Sequence, residues 1–438
     1  MTPDSEDLWF LPLGGCGEIG MNLNLYGHDG RWLMVDCGVT FSRDNRIEMP
    51  DPAFITARRE ALSALLLTHA HQDHIGAVAW LWPKLKCPVY ATPFAAALLR
   101  QQLAERGLAD RVPITEVSPG HRHTVDGFDI EWLGITHSTA ECNALMIRTP
   151  AGSVFHTGDW KLDPGPVVGE ALVGSRFEAL GEEDVLAMVC DSTNAMVRGW
   201  TPSESALRKP LRAAIEAAPG RVIVACFGSN VARLATLRDV AEATGRYIGL
   251  LGRSLHGYLS AARCAGLWRE TPHLIDASHL GYLPPQEVLA VATGSQGEPR
   301  AALQRLADDS HPHLTLAPGD TVLMSSRVIP GNEAAVEGLL MRLRDLGVNT
   351  ITDIDRANPI HASGHPAQDE LRQMYGWVQP RTAIPVHGEE AHMAANAQIA
   401  RQCGVEQQMT GLNGDLFLLA PQRAIRRGAV PTGRLRPG

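Results

Sequence analysis

Short apolar runs recur along the chain, and each ends at a glycine, a serine or a residue able to carry chemistry. Runs of this length that are bounded by turn residues predict β-strands. They are frequent in the first 195 residues, so we expect a strand-rich region with few helices there. The predicted strands of this region are Trp32–Val35, Ala64–Thr68, Phe128–Ile135, Ser153–His156 and Val185–Cys190.

The pattern changes after about residue 200, where apolar runs alternate with segments of helical periodicity. This alternation indicates a small parallel α/β domain. A helix is predicted over Val231–Ala243, and after about residue 356 the chain returns to a helix near Ala367–Trp377 and a strand that ends at His387. The predicted strands of the α/β region are Arg221–Phe227, Tyr247–Leu251, Val288–Thr293 and Thr321–Ser325.

One segment after a predicted strand, from Thr68 to His74, places three imidazoles and one carboxylate within six positions. Imidazole nitrogens and carboxylate oxygens are the usual zinc ligands of hydrolytic sites. His69 and His71 alternate along an extended backbone and can share one metal, whereas Asp73 and His74 lie past the bend and would face a second. A lone histidine is more often an ordinary surface or core residue, but a run this dense favours a metal site.

Three other predicted strands end in residues of the same kinds, namely His137, Asp159 and His387. In open α/β sheets, ligands gather at the carboxyl ends of strands. Each residue alone is weak evidence, because a loop histidine is usually hydrogen-bonded to protein, but together the strand ends indicate one site. Since His387 follows the α/β region in sequence, that region is expected to be an insertion into the first domain.

Length and composition fit an enzyme with more than one domain. For 438 residues the expectation is roughly 2–3 domains. No apolar run reaches about 18 residues, so no transmembrane helix is expected, and the acidic N-terminus does not resemble a signal peptide. The eight cysteines form no C-x-x-C pair and are interpreted as reduced residues of a cytoplasmic protein.

Charge changes this picture only slightly. The net charge of −9 argues mildly against a protein that coats nucleic acid in general but does not exclude a nuclease.

The glycine-rich stretch Gly14–Gly20 is interpreted as a backbone-packing turn, because no helical pattern follows it as in a phosphate loop. A basic patch near the end of the chain is expected to be a solvated, frayed terminus; it consists of Arg423, Arg426, Arg427, Arg434 and Arg436.

The motifs, taken together, carry a specific resemblance. The matching stretches are Pro12–Gly20, Val35–Gly38, His69–His74, His156–Lys161, Asp191–Ala195, Thr201–Glu204, Thr293–Pro299, Ile329–Glu333, His361–His365 and Ile384–Glu389. They cover nearly the whole chain and resemble the beta-CASP nucleases of the metallo-β-lactamase superfamily, and among these the ribonuclease J family. The implied fold is an α/β class αββα sandwich of residues 1–197 and 356–438, with an inserted parallel α/β beta-CASP domain at 198–355.

The resemblance also implies site residues. Two Zn²⁺ per chain are expected, with Mn²⁺ or Mg²⁺ as alternatives that support activity. One ion would be held by His69, His71, His137 and Asp159, and the other by Asp73, His74, His387 and the shared Asp159. Asp36 would orient the histidines. The expected catalytic residues are Asp191, His365 and Asp73. Substrate phosphates and a terminal 5′-monophosphate are expected at Ser229, Asn230, Val231, His361, Ala362, Ser363, Gly364 and His365.

Some of these residues also suit a purely structural role. Asp191 fits a turn or cap, and Ser229 fits a plain helix N-cap. Ala232 stands where many relatives place a histidine, so one phosphate contact is expected to be lost. Family members usually carry a further C-terminal domain linked to dimer formation; a short form without it is expected here, which leaves a homodimer or other homo-oligomer open.

The function implied is hydrolysis of single-stranded RNA by a zinc-dependent ribonuclease, as a 5′-to-3′ exonuclease with endonuclease activity, in RNA processing or decay. A DNA-directed beta-CASP nuclease stays open, because the discrimination rests on 2′-hydroxyl contacts. A small-molecule metallo-hydrolase and a non-catalytic RNA-binding subunit are two further competing functions. The inserted domain argues against the hydrolase, and the complete ligand set argues against the non-catalytic subunit.

Overall fold

The computed structural model describes residues 1–42, 46–329, 331–352 and 359–437. The chain divides into two units. Unit 1 comprises Met1–Leu162, Glu170–Thr201 and Gly364–Gly438, and unit 2 comprises Asp163–Gly169 and Pro202–Ser363. Unit 2 is therefore mostly an insertion within the sequence of unit 1. The predicted boundary between residues 355 and 356, and Pro330 of the motif Ile329–Glu333, lie outside the described residues.

The secondary-structure elements are numbered in chain order. Within the described ranges, strands β1 to β23 are Leu8–Gly14, Leu23–His28, Arg31–Val35, Thr40–Phe41, Ile47–Pro50, Leu62–Leu66, Val89–Ala91, Ile114–Glu116, Arg122–Val125, Phe128–Gly134, Asn143–Thr149, Gly152–His156, Ala187–Asp191, Val222–Ala225, Tyr247–Leu251, Val288–Ala292, Thr321–Met324, Asn349–Thr352, Thr382–Val386, Gln407–Gln408, Leu416–Ala420, Ala424–Arg426 and Arg434–Leu435. Helices α1 to α12 are Ala53–Thr56, Gln72–Ile75, Val78–Leu85, Pro93–Ala104, Gly174–Leu180, Arg208–Ala217, Val231–Thr244, Arg253–Cys264, Ala302–Ala307, Glu333–Asp345, Gln368–Val378 and Glu390–Gln402. Short 3-10 helices are Arg59–Ala61, Glu204–Leu207, Ala277–Tyr282 and Pro285–Glu287.

Unit 1 is built on two large sheets. Among the described residues, one has eight strands in the order β22-β21-β1-β2-β3-β6-β7-β8, and the other has seven in the order β20-β19-β13-β12-β11-β10-β9. Strand side chains alternate between faces, and one buried cluster joins the inward faces of both sheets through residues such as Phe10, Leu33, Trp132 and Val189. The sheets therefore form the predicted sandwich around a shared apolar core.

The outer face of the seven-stranded sheet is also covered. Met146 of β11 and Met188 of β13 belong to a second buried cluster that includes Leu371 and Tyr375 of α11. Strands buried on both faces have near-continuous apolar sequences rather than alternating ones. This explains why β13 and β19 appear in the sequence as uninterrupted apolar runs.

The prediction of few helices in the first part of the chain was wrong between residues 78 and 104, where α3 and α4 lie. Thr92 caps α4, with its hydroxyl accepting a hydrogen bond from Ala95 N at 3.4 Å. Pro93 occupies the first helical position, where its fixed φ favours a helix. Most of α4 consists of alanine and other apolar residues, so its sequence shows little of the apolar–polar contrast that reveals a helical period.

Unit 2 contains a five-stranded sheet, within the described residues, in the order β15-β16-β14-β17-β18. All of its strand pairs are parallel. One buried cluster on it includes Leu234 and Leu237 of α7, and another includes Leu339 and Leu343 of α10. The predicted parallel α/β architecture of this region is confirmed.

The end of the chain is held in place, so the prediction of a frayed basic terminus was wrong. Strand β23 pairs antiparallel with β5. Arg434 donates to Glu48 at 2.9 Å and to Glu18 at 2.6 Å, and Arg436 donates to Glu48 at 2.7 Å. Glu48 is buried, and a buried carboxylate requires such partners. The arginines therefore compensate an acidic residue that is distant in sequence.

Within the described ranges, no helix combines the length and the apolar character needed to cross a bilayer. The eight cysteines are free thiols, and six of them are buried. Burial raises the pKa of Cys190 and of Cys226 to about 12. Thiols of this kind are unreactive packing residues.

Candidate metal centre

The ligand segment leaves β6 and turns into the short helix α2. His71, the last residue before α2, has an extended backbone (φ −72°, ψ 151°), and Asp73 and His74 lie within the helix. Gly38, in the loop after β3, allows that loop to lie close to α2, because a Cβ at this position would lie 1.6 Å from Asp73 O. The bend therefore separates His69 and His71 from Asp73 and His74, as the sequence predicted.

Four further candidates lie at the carboxyl ends of strands in the seven-stranded sheet. His137 follows β10, Asp159 follows β12, Asp191 ends β13 and His387 follows β19. Strands β12, β13 and β19 are parallel neighbours, and β10 runs in the same direction because β11 is antiparallel to both β10 and β12. These strand ends therefore share one edge of the sheet.

The backbone of His387 is left-handed (φ 50°). This conformation costs a residue other than glycine about 1–3 kcal/mol and persists where the surroundings enforce it. His387 N donates to Gly15 O at 2.6 Å, and Gly20 N donates to His387 Nε2 at 3.2 Å. The stretch Gly14–Gly20 is therefore a backbone-packing turn, as predicted, and it packs against a candidate ligand.

The candidate ligand atoms converge into groups that share Asp159. Within each group, the ligand atoms all lie within 4.8 Å of one another. The first group is His69, His71, His137 and Asp159, and the second group is Asp73, His74, Asp159 and His387. A third group joins Asp159 and His387 to Asp191 and His365. The first two groups have the membership that the family resemblance implied.

Hydrogen bonds orient the histidines of both groups. Asp36 Oδ2 accepts from His74 Nδ1 at 2.7 Å and from Thr68 Oγ1 at 2.8 Å, and Thr68 Oγ1 lies 3.0 Å from His69 Nδ1. With Nδ1 of both rings engaged, Nε2 is left to face the cluster, where His74 Nε2 lies 3.3 Å from Asp159 Oδ2. The contact expected between Asp36 and the histidines is present at His74, and contacts of this kind fix the tautomer of a metal ligand.

Two orienting contacts were not predicted. The Gly364 carbonyl accepts a hydrogen bond from His137 Nδ1 at 2.6 Å, and Thr193 Oγ1 lies 2.9 Å from His387 Nδ1. Gly364, expected from the sequence among the phosphate-binding residues, thus contacts a candidate metal ligand. The two partners in these pairs are 227 and 194 residues apart, so no local sequence signal indicates the contacts.

The charges of the cluster fit a cation. Asp159 is 3% exposed, and in the part of the chain that the structure describes its ion-pair partners are five imidazoles, those of His69, His74, His137, His365 and His387. Burial and neighbouring histidines lower the pKa of His69 and of His137, and burial lowers the pKa of His71 to about 4.

These three rings are therefore neutral at pH 7, which is the form that binds metals. The carboxylates of the cluster instead raise the pKa of His74 and of His387, so burial and charge act against each other among these ligands. A divalent metal ion with affinity for nitrogen and oxygen ligands satisfies both the carboxylate and the ring nitrogens.

Asp191 and His365 form a pair next to this cluster. Asp191 Oδ2 accepts a hydrogen bond from His365 Nδ1 at 2.7 Å, and Asp191 Oδ1 accepts from Thr193 N at 2.9 Å. Asp191 therefore has the turn role that the sequence analysis considered, through Thr193, in addition to its contact with His365. Burial disfavours protonation of His365, but the carboxylates of Asp191 and Asp159 outweigh it and raise the pKa of this ring above 6.5. One fifth of the His365 side chain is exposed, so a protonated ring can meet a substrate.

The candidate phosphate-binding residues are divided between the units. Ser229, Asn230 and Val231, at the start of α7, and His361, Ala362 and Ser363 belong to unit 2, whereas Gly364 and His365 belong to unit 1. The N-cap of α7 is Asn230, whose side chain accepts a hydrogen bond from Arg233 N at 2.9 Å. The N-cap role considered for Ser229 was therefore wrong, and Asn230 has that structural role.

A buried arginine joins the two candidate segments of unit 2. Arg233, in the first turn of α7, donates to the Ile360 carbonyl at 3.3 Å, and Ser325 Oγ donates to the same carbonyl at 2.5 Å. Arg233 is fully buried and pairs with Glu204 at 2.5 and 3.1 Å. Because Ile360 directly precedes His361, this network links the start of α7 to the His361–Ser363 segment.

Family comparisons define the class to which this fold and site belong. Residues 20–213 match the metallo-beta-lactamase superfamily, residues 219–343 match the beta-CASP domain of ribonuclease J, and residues 356–408 match the RNA specificity domain of Zn-dependent metallo-hydrolases. A solved structure of a protein of unknown function from Enterococcus faecalis V583 has the same fold, with a TM-score of 0.64 at 14% identity over 94% of this chain and 100% of that one. The chain thus has a metallo-β-lactamase fold together with a beta-CASP domain.

Relatives identify the family within this class. Ribonuclease J of Sinorhizobium meliloti is 45% identical over 98% of this chain and 77% of its own length. Ribonuclease J of Mycolicibacterium smegmatis is 39% identical over 97% and 76%, and that of Mycobacterium tuberculosis H37Rv is 38% identical over 98% and 78%. The chain belongs to the ribonuclease J family.

We predict that Gly364→Ala weakens metal binding. A Cβ at this position would lie 2.6 Å from both His137 Nδ1 and Ser138 Oγ, so the ring or the loop must move. Competition with a chromogenic chelator should show about 10–100-fold weaker metal affinity, the usual cost of disturbing a ligand's hydrogen-bond partner. Gly376→Ala is the matched control, because a Cβ there meets no atom within 4 Å. Native affinity in Gly364→Ala would contradict the prediction.

Proposed function

We propose that this chain is a zinc-dependent ribonuclease that hydrolyses RNA phosphodiester bonds, as a 5′-to-3′ exonuclease that also cleaves internally, in RNA processing or decay. Membership of the ribonuclease J family supports metal-dependent RNA hydrolysis. The observation that carries the proposal is the convergence of two four-residue ligand groups on Asp159, beside the Asp191–His365 pair. We assign residues 198–355 to the beta-CASP domain and residues 1–197 and 356–438 to the metallo-β-lactamase domain.

We assign one Zn²⁺ to the first ligand group and another to the second, with Mn²⁺ or Mg²⁺ as alternatives. Two bound divalent cations would supply an activated water and stabilise charge on the phosphoryl oxygens. Asp159 belongs to both groups and is 3% exposed, whereas the Asp73 side chain is 30% exposed. Asp73 is therefore the ligand carboxylate that a substrate can reach, and its role is to accept a hydrogen bond from the attacking water.

His365 supplies the proton that the leaving oxygen needs. As the P–O3′ bond breaks, a proton moves from His365 to the 3′-oxygen, while the Asp191 carboxylate holds the ring through Nδ1 and stabilises its protonated form. The 2.7 Å contact between Asp191 and His365 also fixes which ring nitrogen faces the substrate. Asp191 therefore orients the acid, and His365 delivers the proton.

The match to an RNA specificity domain favours RNA over DNA, and the inserted α/β unit disfavours a small-molecule hydrolase. The complete ligand cluster disfavours a non-catalytic RNA-binding role. Single-stranded RNA is the proposed substrate. A homodimer or other homo-oligomer and a cytoplasmic location are further parts of this proposal, the latter supported by eight free thiols.

The metal assignment predicts two zinc ions per chain and loss of RNA hydrolysis in chelator. Asp159→Ala should lose both ions, because Asp159 is the ligand that the groups share. Elemental analysis of purified protein and of this variant measures the outcome. Asp184→Ala, which removes an exposed carboxylate, is the control and should keep both ions. Fewer than one ion per chain in fully active protein would refute the assignment.

The acid assignment predicts that His365→Ala keeps both metals but hydrolyses RNA about 10²–10⁴-fold more slowly. Single-turnover rates and metal content are measured on the same preparation. His311→Ala removes an imidazole from unit 2 and should hydrolyse RNA at the native rate. Undiminished activity in His365→Ala would show that this residue is not the acid, and loss of metal would show that it is a ligand.

The phosphate-site assignment predicts a preference for 5′-monophosphate over 5′-triphosphate RNA. A lost charge-assisted hydrogen bond costs about 1.5–3 kcal/mol, so Ser229→Ala should reduce the preference roughly 10-fold or more. Because Ala232 lies beside this segment where relatives place a histidine, the native preference should be modest, and Ala232→His should increase it. Competition between the two RNAs measures the ratio. Equal rates that neither substitution changes would mean that the chain does not recognise the 5′ end.

A further inference from the structure

One buried carboxylate of unit 1, that of Glu370 in α11, belongs to neither ligand group. Glu370 is 0% exposed. Its Oε1 accepts a hydrogen bond from Leu162 N at 2.8 Å, and its Oε2 accepts from Thr201 N and Ala367 N, both at 2.8 Å. Three backbone amides from three separate segments of unit 1 therefore meet at one side chain.

Helix capping accounts for only part of this arrangement. Ala367 is the N-cap of α11, and the bond from its amide to Glu370 is half of a capping box. The other two amides lie 208 and 169 residues away in sequence, and a helix cap does not require them. Full burial disfavours the charged carboxylate and raises the pKa of Glu370. A residue that served only as a helix cap would not need to be buried to this extent.

Each segment that Glu370 holds leads directly to the candidate site. Leu162 follows Asp159 by three positions. Ala367 follows His365 by two positions, and the Thr201 hydroxyl donates to the His365 carbonyl at 2.8 Å. The backbone directly after His365 is thus fixed twice, through the His365 carbonyl and through the amide of Ala367.

We propose that Glu370 is a positioning residue for His365. It fixes the backbone around His365 relative to the Asp159 loop, so that the imidazole stays 2.7 Å from Asp191 Oδ2 and 3.9 Å from Asp159 Oδ2. Glu370 touches neither the substrate nor the ligand atoms and acts through three amides and one hydroxyl. The inference rests on the proposed role of His365 as the acid.

Glu370→Gln tests this with little change in shape. An amide has one accepting oxygen, and its NH₂ group can only donate. In either orientation the NH₂ group faces at least one of the three backbone N–H groups, so the segments that carry Leu162, or Thr201 and Ala367, must move. Hydrogen exchange should become faster at these amides. A displacement near 1 Å can cost about 10²-fold in rate, so we expect RNA hydrolysis to slow by about 10–10²-fold with both metals retained.

The decisive comparison uses two RNAs that differ at one atom. In both, the attacking water loses a proton to solvent and its oxygen bonds to phosphorus as the bond to the leaving atom breaks. A leaving 3′-oxygen takes a proton from His365, whereas a bridging 3′-sulfur leaves as a thiolate that keeps the electron pair and needs no proton. His365→Ala should therefore be slowed about 10²-fold or more on the oxygen RNA relative to the sulfur RNA. Glu370→Gln should show the same selective slowing, by about 10-fold or more.

Thr92→Ala is the matched control, because it removes the N-cap of α4 and should slow neither substrate selectively. Equal slowing of Glu370→Gln on both RNAs, with selective slowing in His365→Ala, would overturn the positioning role alone. Equal slowing of His365→Ala would show that His365 is not the acid, and the inference would fall with it.

Thr201→Val provides a second variant in case Glu370→Gln does not fold. It removes the hydroxyl that donates to the His365 carbonyl at 2.8 Å, leaves Asn194 Nδ2 as a donor to that carbonyl at 3.2 Å, and keeps the side-chain shape. We expect selective slowing on the oxygen RNA with native metal content. Equal rates of the variant and the native protein on that RNA, or equal slowing on both RNAs, would contradict the inference.

Discussion

Burying a carboxylate among imidazoles costs free energy unless positive charge and hydrogen bonds replace the lost water. Asp159 is in this position in unit 1, with five imidazoles within 4.0 Å. Burial lowers the pKa of His69 and of His137, which keeps these rings neutral. Neighbouring carboxylates raise the pKa of His74 and of His387 despite their burial. A divalent cation resolves the conflict, because it neutralises the acid and binds neutral nitrogen. The surrounding strands and loops serve to keep these ligand atoms together.

Hydrogen bonds around the ligands also hold the orientation of three of the rings, those of His74, His137 and His387. Asp36, the Gly364 carbonyl and Thr193 each engage Nδ1 of one histidine. The buried carboxylate of Glu370 ties together three further backbone segments, those of Leu162, Thr201 and Ala367. A fully satisfied buried network is rigid, and a hydrolytic site depends on such rigidity because small displacements reduce its rate.

Unit 2 also contains a buried charge that is compensated by its partners. Arg233 is fully buried, yet its guanidinium is paired with Glu204 and donates to the Ile360 carbonyl. A charge buried in this way is tolerated only when it is paired and hydrogen-bonded. The ion pair and the hydrogen bonds compensate the free-energy cost of burying the guanidinium. They also fix the start of α7 relative to the segment after Ile360, which carries the proposed phosphate-binding residues.

Local features were predictable from the sequence. The ligand run from His69 to His74, the strand ends at His137 and His387 and the alternating α/β region all depend on neighbouring residues, and their patterns follow from backbone periodicity. Features that depend on distant partners were not predictable in this way. The sequence of α4 shows no clear polar face. Arg434 and Arg436 pair with Glu48, and the Gly364 carbonyl accepts a hydrogen bond from His137. The sequence by itself determined which imidazole and carboxylate groups are candidates for the chemistry. The tertiary structure decided which nitrogen of each ring faces the cluster and which buried charges are compensated, because both depend on atoms that only folding brings within hydrogen-bond distance.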